Sequence, residues 1–142
     1  MNAKFNTGVC ALCAIIAASA SLAFGAAKPE VEAQTAAEQW LALVDAGKFG
    51  ESWDSAAPYF KAAVSKDKWE SSLVALRKPL GDLTSRKLKT AKYTKTLPGA
   101  PDGEYVVLQF DTSFSNKKSA VETVTPLLDK DGKWKVSGYF IK

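Results

Sequence analysis

The chain has 142 residues, 19 of them Lys or Arg, 15 Asp or Glu and none His. That length suits one domain, and a net charge of +4 is too mild to point to nucleic acid. The missing imidazole excludes a His-based triad, a His–metal cluster and a His general base.

Residues 1–25 read as a signal peptide. Lys4 supplies a positive start, and Val9 to Ala20 is an apolar run too short to span a bilayer. Small residues follow, and Ala23-Phe24-Gly25 fits a cleavage site, with cleavage after Gly25 preferred over Ala23 or Ala27. The only cysteines, Cys10 and Cys13, lie inside this segment and lack the spacing of a lipoprotein site. The expected mature protein is therefore periplasmic or secreted, has no disulfide and no stable membrane anchor, and carries one basic residue fewer, 18 against 15 acidic. A chain of that size buries roughly 65% of its unfolded surface, enough for a core without staples.

Residues 26–142 read as one α+β domain, helical over 29–80 and a β-meander over 83–142. Pro29 to Ala46 has Pro in its first turn, Glu30 and Glu32 at its positive end, and one apolar stripe through Ala33, Ala36, Ala37, Trp40, Leu41 and Val44. Gly47 caps it. Phe49 to Ala57 is a short helix, broken by Pro58 and followed by another turn or two. Asp67 to Leu80 is the third main helix: Asp67 and Glu70 resemble a capping box, and Trp69, Leu73, Leu76 and Leu80 make its stripe.

Leu83 to Leu97 reads as a polar edge strand, its Arg86, Lys87, Lys89, Lys92 and Lys95 protecting it from pairing with other chains. Pro98 to Gly103 is a rigid connector. In Tyr105 to Phe114, alternation places Val106, Leu108, Phe110 and Phe114 on a dry face and Tyr105, Val107, Gln109 and Asp111 on a mixed one. Ser115 to Lys118 is a turn. Val121 to Leu128 is expected to bulge or end at Pro126, which cannot donate to a ladder. Asp129 to Gly132 fits a type I turn with a bulge. In Trp134 to Ile141, alternation puts Trp134, Val136, Gly138 and Phe140 on one face and Lys135, Ser137, Tyr139 and Ile141 on the other. The helices are expected to pack on this curved, cone-like antiparallel sheet of about four strands.

Candidate chemistry is confined to carboxylates, tyrosines, serines and lysines, because no mature Cys, phosphate-cradling Gly loop or Gly-x-Ser-x-Gly elbow is present. Glu122 has apolar neighbours; facing inward it would need a cationic or hydrogen-bonding partner, for which Arg86 is the natural candidate. It reads either as a functional carboxylate or as an exposed or structurally paired strand residue. Asp111, Gln109 and Tyr105 on the mixed face suit a pocket floor with a carboxylate base, or a plain solvated face. Tyr139 and Lys135 could add donors to that pocket. The four tryptophans fall on apolar stripes or strand faces, which favours core packing over carbohydrate stacking. The basic run from Arg86 to Lys95 suits an anionic envelope polymer, though edge protection explains it as well.

Trp40-Leu41-Ala42-Leu43-Val44-Asp45-Ala46-Gly47-Lys48-Phe49-Gly50-Glu51-Ser52-Trp53 resembles the opening signature of bacterial domain-of-unknown-function family 4019. Leu97 to Tyr105, Val121 to Val124 and Asp131 to Tyr139 resemble its later motifs. The resemblance spans essentially the mature chain and implies a small exported protein, with no catalytic residues to carry over. The order of helices and sheet also resembles the nuclear-transport-factor-2-like, or cystatin-like, superfold. Its enzymes generally use a pocket Asp with or without a His; this chain offers only Asp111.

These readings favour a non-catalytic binding module for a small molecule or an envelope protein, with Tyr105, Gln109, Asp111, Glu122, Tyr139 and Arg86 as candidate ligand contacts and no cofactor or metal. The alternatives are a pocket enzyme of isomerase or dehydratase type, with Asp111 as base and Tyr105 or Tyr139 as donor, and a domain that homodimerises through the mixed face, where Val107 and Ile141 are apolar.

Overall fold

The computed structural model describes residues 25–142. The expected signal peptide lies outside the described residues except for Gly25. Four helices, α1 (Pro29–Asp45), α2 (Phe49–Asp54), α3 (Pro58–Ala63) and α4 (Lys66–Leu80), precede four strands, β1 (Leu83–Thr94), β2 (Tyr105–Phe114), β3 (Lys117–Leu128) and β4 (Trp134–Ile141). The strands form one antiparallel sheet in the order β1-β2-β3-β4, so the domain is α+β as the sequence indicated.

Local sequence sets the helix ends. Pro29 opens α1, where its missing N–H is no loss. At the other end the Lys48 amide donates to the Leu43 carbonyl and the Gly47 amide to Val44, with Gly47 at φ 75°. This is a Schellman closure, and only glycine adopts that backbone cheaply. The expected capping box on α4 is not formed: the helix starts at Lys66 with Ser65 as N-cap, and Asp67 sits in its first turn against the dipole. Gly81 ends α4 at φ 74°, and the turn is strapped to the β2–β3 hairpin by Asn116 N–H to the Leu80 carbonyl and Asp82 N–H to Ser115 Oγ. A Cβ on Gly81 would collide with that serine hydroxyl.

One face of the sheet takes the helices. Ala33, Ala37, Trp40, Leu41 and Val44 of α1 and Trp69 and Leu73 of α4 pack on Val106, Leu108, Phe110, Val124 and Val136. The α4 stripe departs from expectation in its second half. Leu76 is exposed, and Arg77 is buried in its place, one helical repeat beyond Trp69 and Leu73.

Register corrects the sequence reading of β4. Thr125 pairs with Gly138 but Pro126 pairs with Val136, so Ser137 is an extra residue on β4. The irregularity falls at Pro126, as the missing N–H implies, but the inserted residue is on the partner strand. It reverses the alternation. Tyr139 and Ile141, opposite Val124 and Glu122, join the helix-covered face with Val136, while Phe140 turns to the open face. A second shift, between Leu88 and Thr90, acts likewise on β1: Arg86 and Leu88 lie opposite Thr112 and Phe110, and beyond it Ala91 and Tyr93 lie opposite Leu108 and Val106. β3 starts at Lys117, leaving a turn shorter than Ser115 to Lys118. The Asp129–Gly132 turn forms as expected, with Gly132 at φ 80°.

Candidate functional site

The helix-covered face holds a charged cluster. Glu122, opposite Phe110 in mid-sheet, is fully buried. Its Oε1 accepts from Arg86 Nε at 2.7 Å and Thr112 Oγ1 at 2.7 Å; its Oε2 accepts from Arg86 Nη2 at 3.2 Å and the Tyr139 hydroxyl at 2.5 Å. Arg86 also donates to both oxygens of Asp45, at 2.7 and 3.0 Å, and Arg77 Nη2 donates to Asp45 Oδ1 at 2.9 Å. Two cations and two anions thus alternate from α4 through α1 and β1 to β3, tying the helices to the sheet. A buried carboxylate survives only with partners of this kind.

The cluster's charge states follow from its contacts. Burial opposes ionisation of Asp45, but the hydrogen bonds and charges of Arg86 and then Arg77 prevail, holding its carboxyl below the ordinary aspartate value. Burial likewise opposes the charge on Arg86, and Asp45 and Glu122 more than restore it. For Tyr139 all the main influences agree: burial, the charge of Glu122 and the hydrogen bond to it push the phenol far above the ordinary tyrosine range. Its neutral form contributes fully below about pH 10 and loses that contribution as pH rises through the folded-state value. A spectrophotometric alkaline titration should therefore show Tyr139 ionising only as the protein unfolds. Burial raises the Tyr105 phenol as well, so Tyr139→Phe should reduce the late step by one tyrosine; an unchanged amplitude would mean that Tyr139 is not part of it.

The interior beside this cluster is full. Trp40 lies 6.0 Å from Trp69 and 5.3 Å from Tyr139 between ring centroids, and Phe60 closes on Trp69 at 4.9 Å. The indole N–H of Trp40 donates to the Ser52 carbonyl and that of Trp69 to Ser52 Oγ, so a fully buried serine satisfies two tryptophans. Trp53 donates to the Val64 carbonyl and Trp134 to Glu32. All four tryptophans pack on or in the core, as the sequence favoured.

The structure therefore brings three of the six candidate residues together, Arg86, Glu122 and Tyr139, and leaves Tyr105, Gln109 and Asp111 along the opposite face. Asp111 is exposed, with Lys89 3.5 Å away. Tyr105 is buried under the connector, its hydroxyl donating to the Pro101 carbonyl at 2.6 Å. Six residues of extended strand, about 20 Å, separate it from Asp111. Lys135 is held at the β3–β4 turn by Asp129 and Asp131, at 2.7 and 2.9 Å, apart from Tyr139. Sequence reasoning paired Arg86 with Glu122 but missed Asp45 and Arg77. The signal for Arg77 is its place one repeat beyond Trp69 and Leu73, on the buried side of α4.

Two of the open surfaces carry further candidate groups. The uncovered sheet face carries Phe140, 48% exposed, with partly buried Val107 and Gln109. Lys87 and Lys92 stand opposite Asp111 and Val107, Lys118 lines a shallow depression with Asp111, and Lys142 lies over the Phe140 ring. The second surface is a cleft of about 300 Å³ between the end of α1, the start of α2 and the end of α4. Among the described residues no cluster of acidic groups could hold a metal ion, and no helix is long and apolar enough to cross a membrane.

Fold and surfaces together define a small α+β domain, a helical layer pinned to a four-stranded sheet by a buried ion-pair chain. The chain belongs to the family described as "Protein of unknown function (DUF4019)", whose profile matches residues 36–139. It is similar in fold to a protein of known structure from Catenulispora acidiphila, with a TM-score of 0.52 at 12% identity over 79% of this chain and 88% of that one. No curated protein matches the chain.

Proposed function

We propose that the protein is an exported, non-catalytic module that binds an acidic envelope protein on the open face of its sheet. The observation that carries this is Phe140. An aromatic ring half exposed on an uncovered face, with Lys142 over it and Lys118 on β3 and Lys87, Lys89 and Lys92 on β1 across the same sheet, has the composition of a docking surface for an acidic partner. Asp129 and Asp131 at the β3–β4 end of that face are paired with Lys135, which leaves Asp111 against those five lysines, so a second copy of the chain would meet mainly like charge. Moving Ile141 to the inner face also takes away half the apolar content that favoured homodimerisation. The enzyme reading loses support because Asp111, Tyr105 and Tyr139 do not converge and both tyrosine hydroxyls are engaged. Export rests on the signal-like segment 1–25.

In-cell crosslinking tests the proposal. Benzoylphenylalanine in place of Phe140 should yield one discrete protein adduct in the envelope, and in place of exposed Val31 on α1 none. The adduct should disappear with Lys87→Glu and Lys92→Glu together. An adduct of twice the chain's mass would make the face a homodimer interface, and adducts from both positions would deny it any selectivity.

A further inference from the structure

Arg77 is 8% exposed, yet its Nε and Nη1 have no hydrogen-bond partner. Only Nη2 is used, on Asp45, while the guanidinium lies over the Phe114 ring at 4.9 Å. These are the only buried side-chain donors without a partner among the described residues, and no buried side-chain acceptor there lacks one. What is missing is therefore an acceptor. Arg77 lines the cleft described above, together with Val44, Phe49, Val74 and Lys78. Val74 is 51% exposed there, an apolar residue on α4 that the core does not use.

We infer that this cleft binds a small monocarboxylate with an apolar tail, its carboxylate on Arg77 and its tail along Val44, Phe49 and Val74. The charge of the ligand follows from the walls. Donors on a guanidinium favour an anion over a neutral carbonyl, because charge-assisted hydrogen bonds are about twice as strong. Asp45 and Asp82 line the same cleft and oppose a second negative charge, which selects against a phosphate dianion. Lys78, exposed on the next position of α4, supplies a second cation at the mouth. The two free nitrogens do not reach bulk water, so docking includes a turn of the guanidinium toward the cleft. The inference is independent of the open sheet face, which lies on the other side of the sheet.

The test is a titration of the full protein with octanoate, octanol and octylammonium, following the arginine Nε–H signals by NMR. Octanoate should shift the Arg77 signal saturably, with a Kd tighter than about 1 mM, and the other two should not. Lys78→Gln should weaken binding by about threefold, and in Arg77→Gln, followed by the backbone amide signals of Val74 and Lys78 beside the cleft, octanoate should give no saturable shift. Val74→Asp, a change at an exposed helix position that leaves the ion-pair chain intact, should weaken octanoate binding at least tenfold through repulsion and lost tail contact. Octanol binding as well as octanoate, an unmoved Arg77 signal, or indifference to both Lys78→Gln and Val74→Asp would overturn the assignment.

Discussion

Replacing Glu122 with alanine should destabilise the protein by about 3–5 kcal/mol, the usual consequence of removing one partner of a buried ion pair. The loss is large because the carboxylate serves three donors at once. Without it Arg86, Thr112 and the Tyr139 hydroxyl all lose an acceptor in a dry interior. With a urea m-value of about 2 kcal/mol/M the midpoint should fall by about 2 M. Glu122→Gln should cost less, since the amide oxygen still accepts while the charge that Arg86 faces is gone. The paired variant Glu122→Leu with Arg86→Met should be more stable than the sum of its single changes, because it removes both buried charges together. A loss below about 1 kcal/mol in Glu122→Ala would mean that the carboxylate is solvated in the folded protein.

Trp40→Ala should cost a similar amount, about 3–5 kcal/mol, by opening a cavity where three aromatic rings meet. Trp40 is 4% exposed and touches Trp69 and Tyr139, so its neighbours cannot collapse inward without breaking their own hydrogen bonds. Trp40→Phe keeps most of the packing and loses the N–H bond to the Ser52 carbonyl, for about 1–3 kcal/mol. Circular dichroism rather than fluorescence should follow both unfolding transitions. Indole added to Trp40→Ala should raise its melting temperature in proportion to the logarithm of indole concentration, because the cavity fits what was removed. No response to indole would mean that the interior had repacked around the gap.

Much of the fold was legible because its signals are local. The stripe of α1, the Gly47 cap, the Asp129–Gly132 turn and the alternation of β2 each rest on a few adjacent residues. β4 was legible as a strand but not in its facing. One inserted residue, Ser137, changes which side chains look inward, and nothing in the local pattern of Trp134 to Ile141 marks it. That single insertion moved Tyr139 from a supposed pocket on the mixed face to the buried cluster. The Arg86–Glu122 pair could be foreseen because a buried carboxylate demands a cation and Arg86 stood in a facing strand. The pairing of Asp45 with Arg77 could not, since it joins the ends of two helices 32 residues apart in the chain; only the burial of Arg77 left a local sign. The irregular second half of the α4 stripe, with exposed Leu76 and buried Arg77, marks the same place.

On the proposed function, the interior of the domain is closed structure and the open sheet face is the working surface. Hydroxyl-radical footprinting of the protein in its own host's envelope, compared with the purified protein, tests both halves at once. Phe140 should be modified in the purified protein and protected in the envelope, while Trp40, Trp69 and Tyr139 stay unmodified in both. Equal modification of Phe140 in both settings, or Trp40 and Tyr139 open in the purified protein and protected in the envelope, would contradict the account and return the working site to the inside of the sheet.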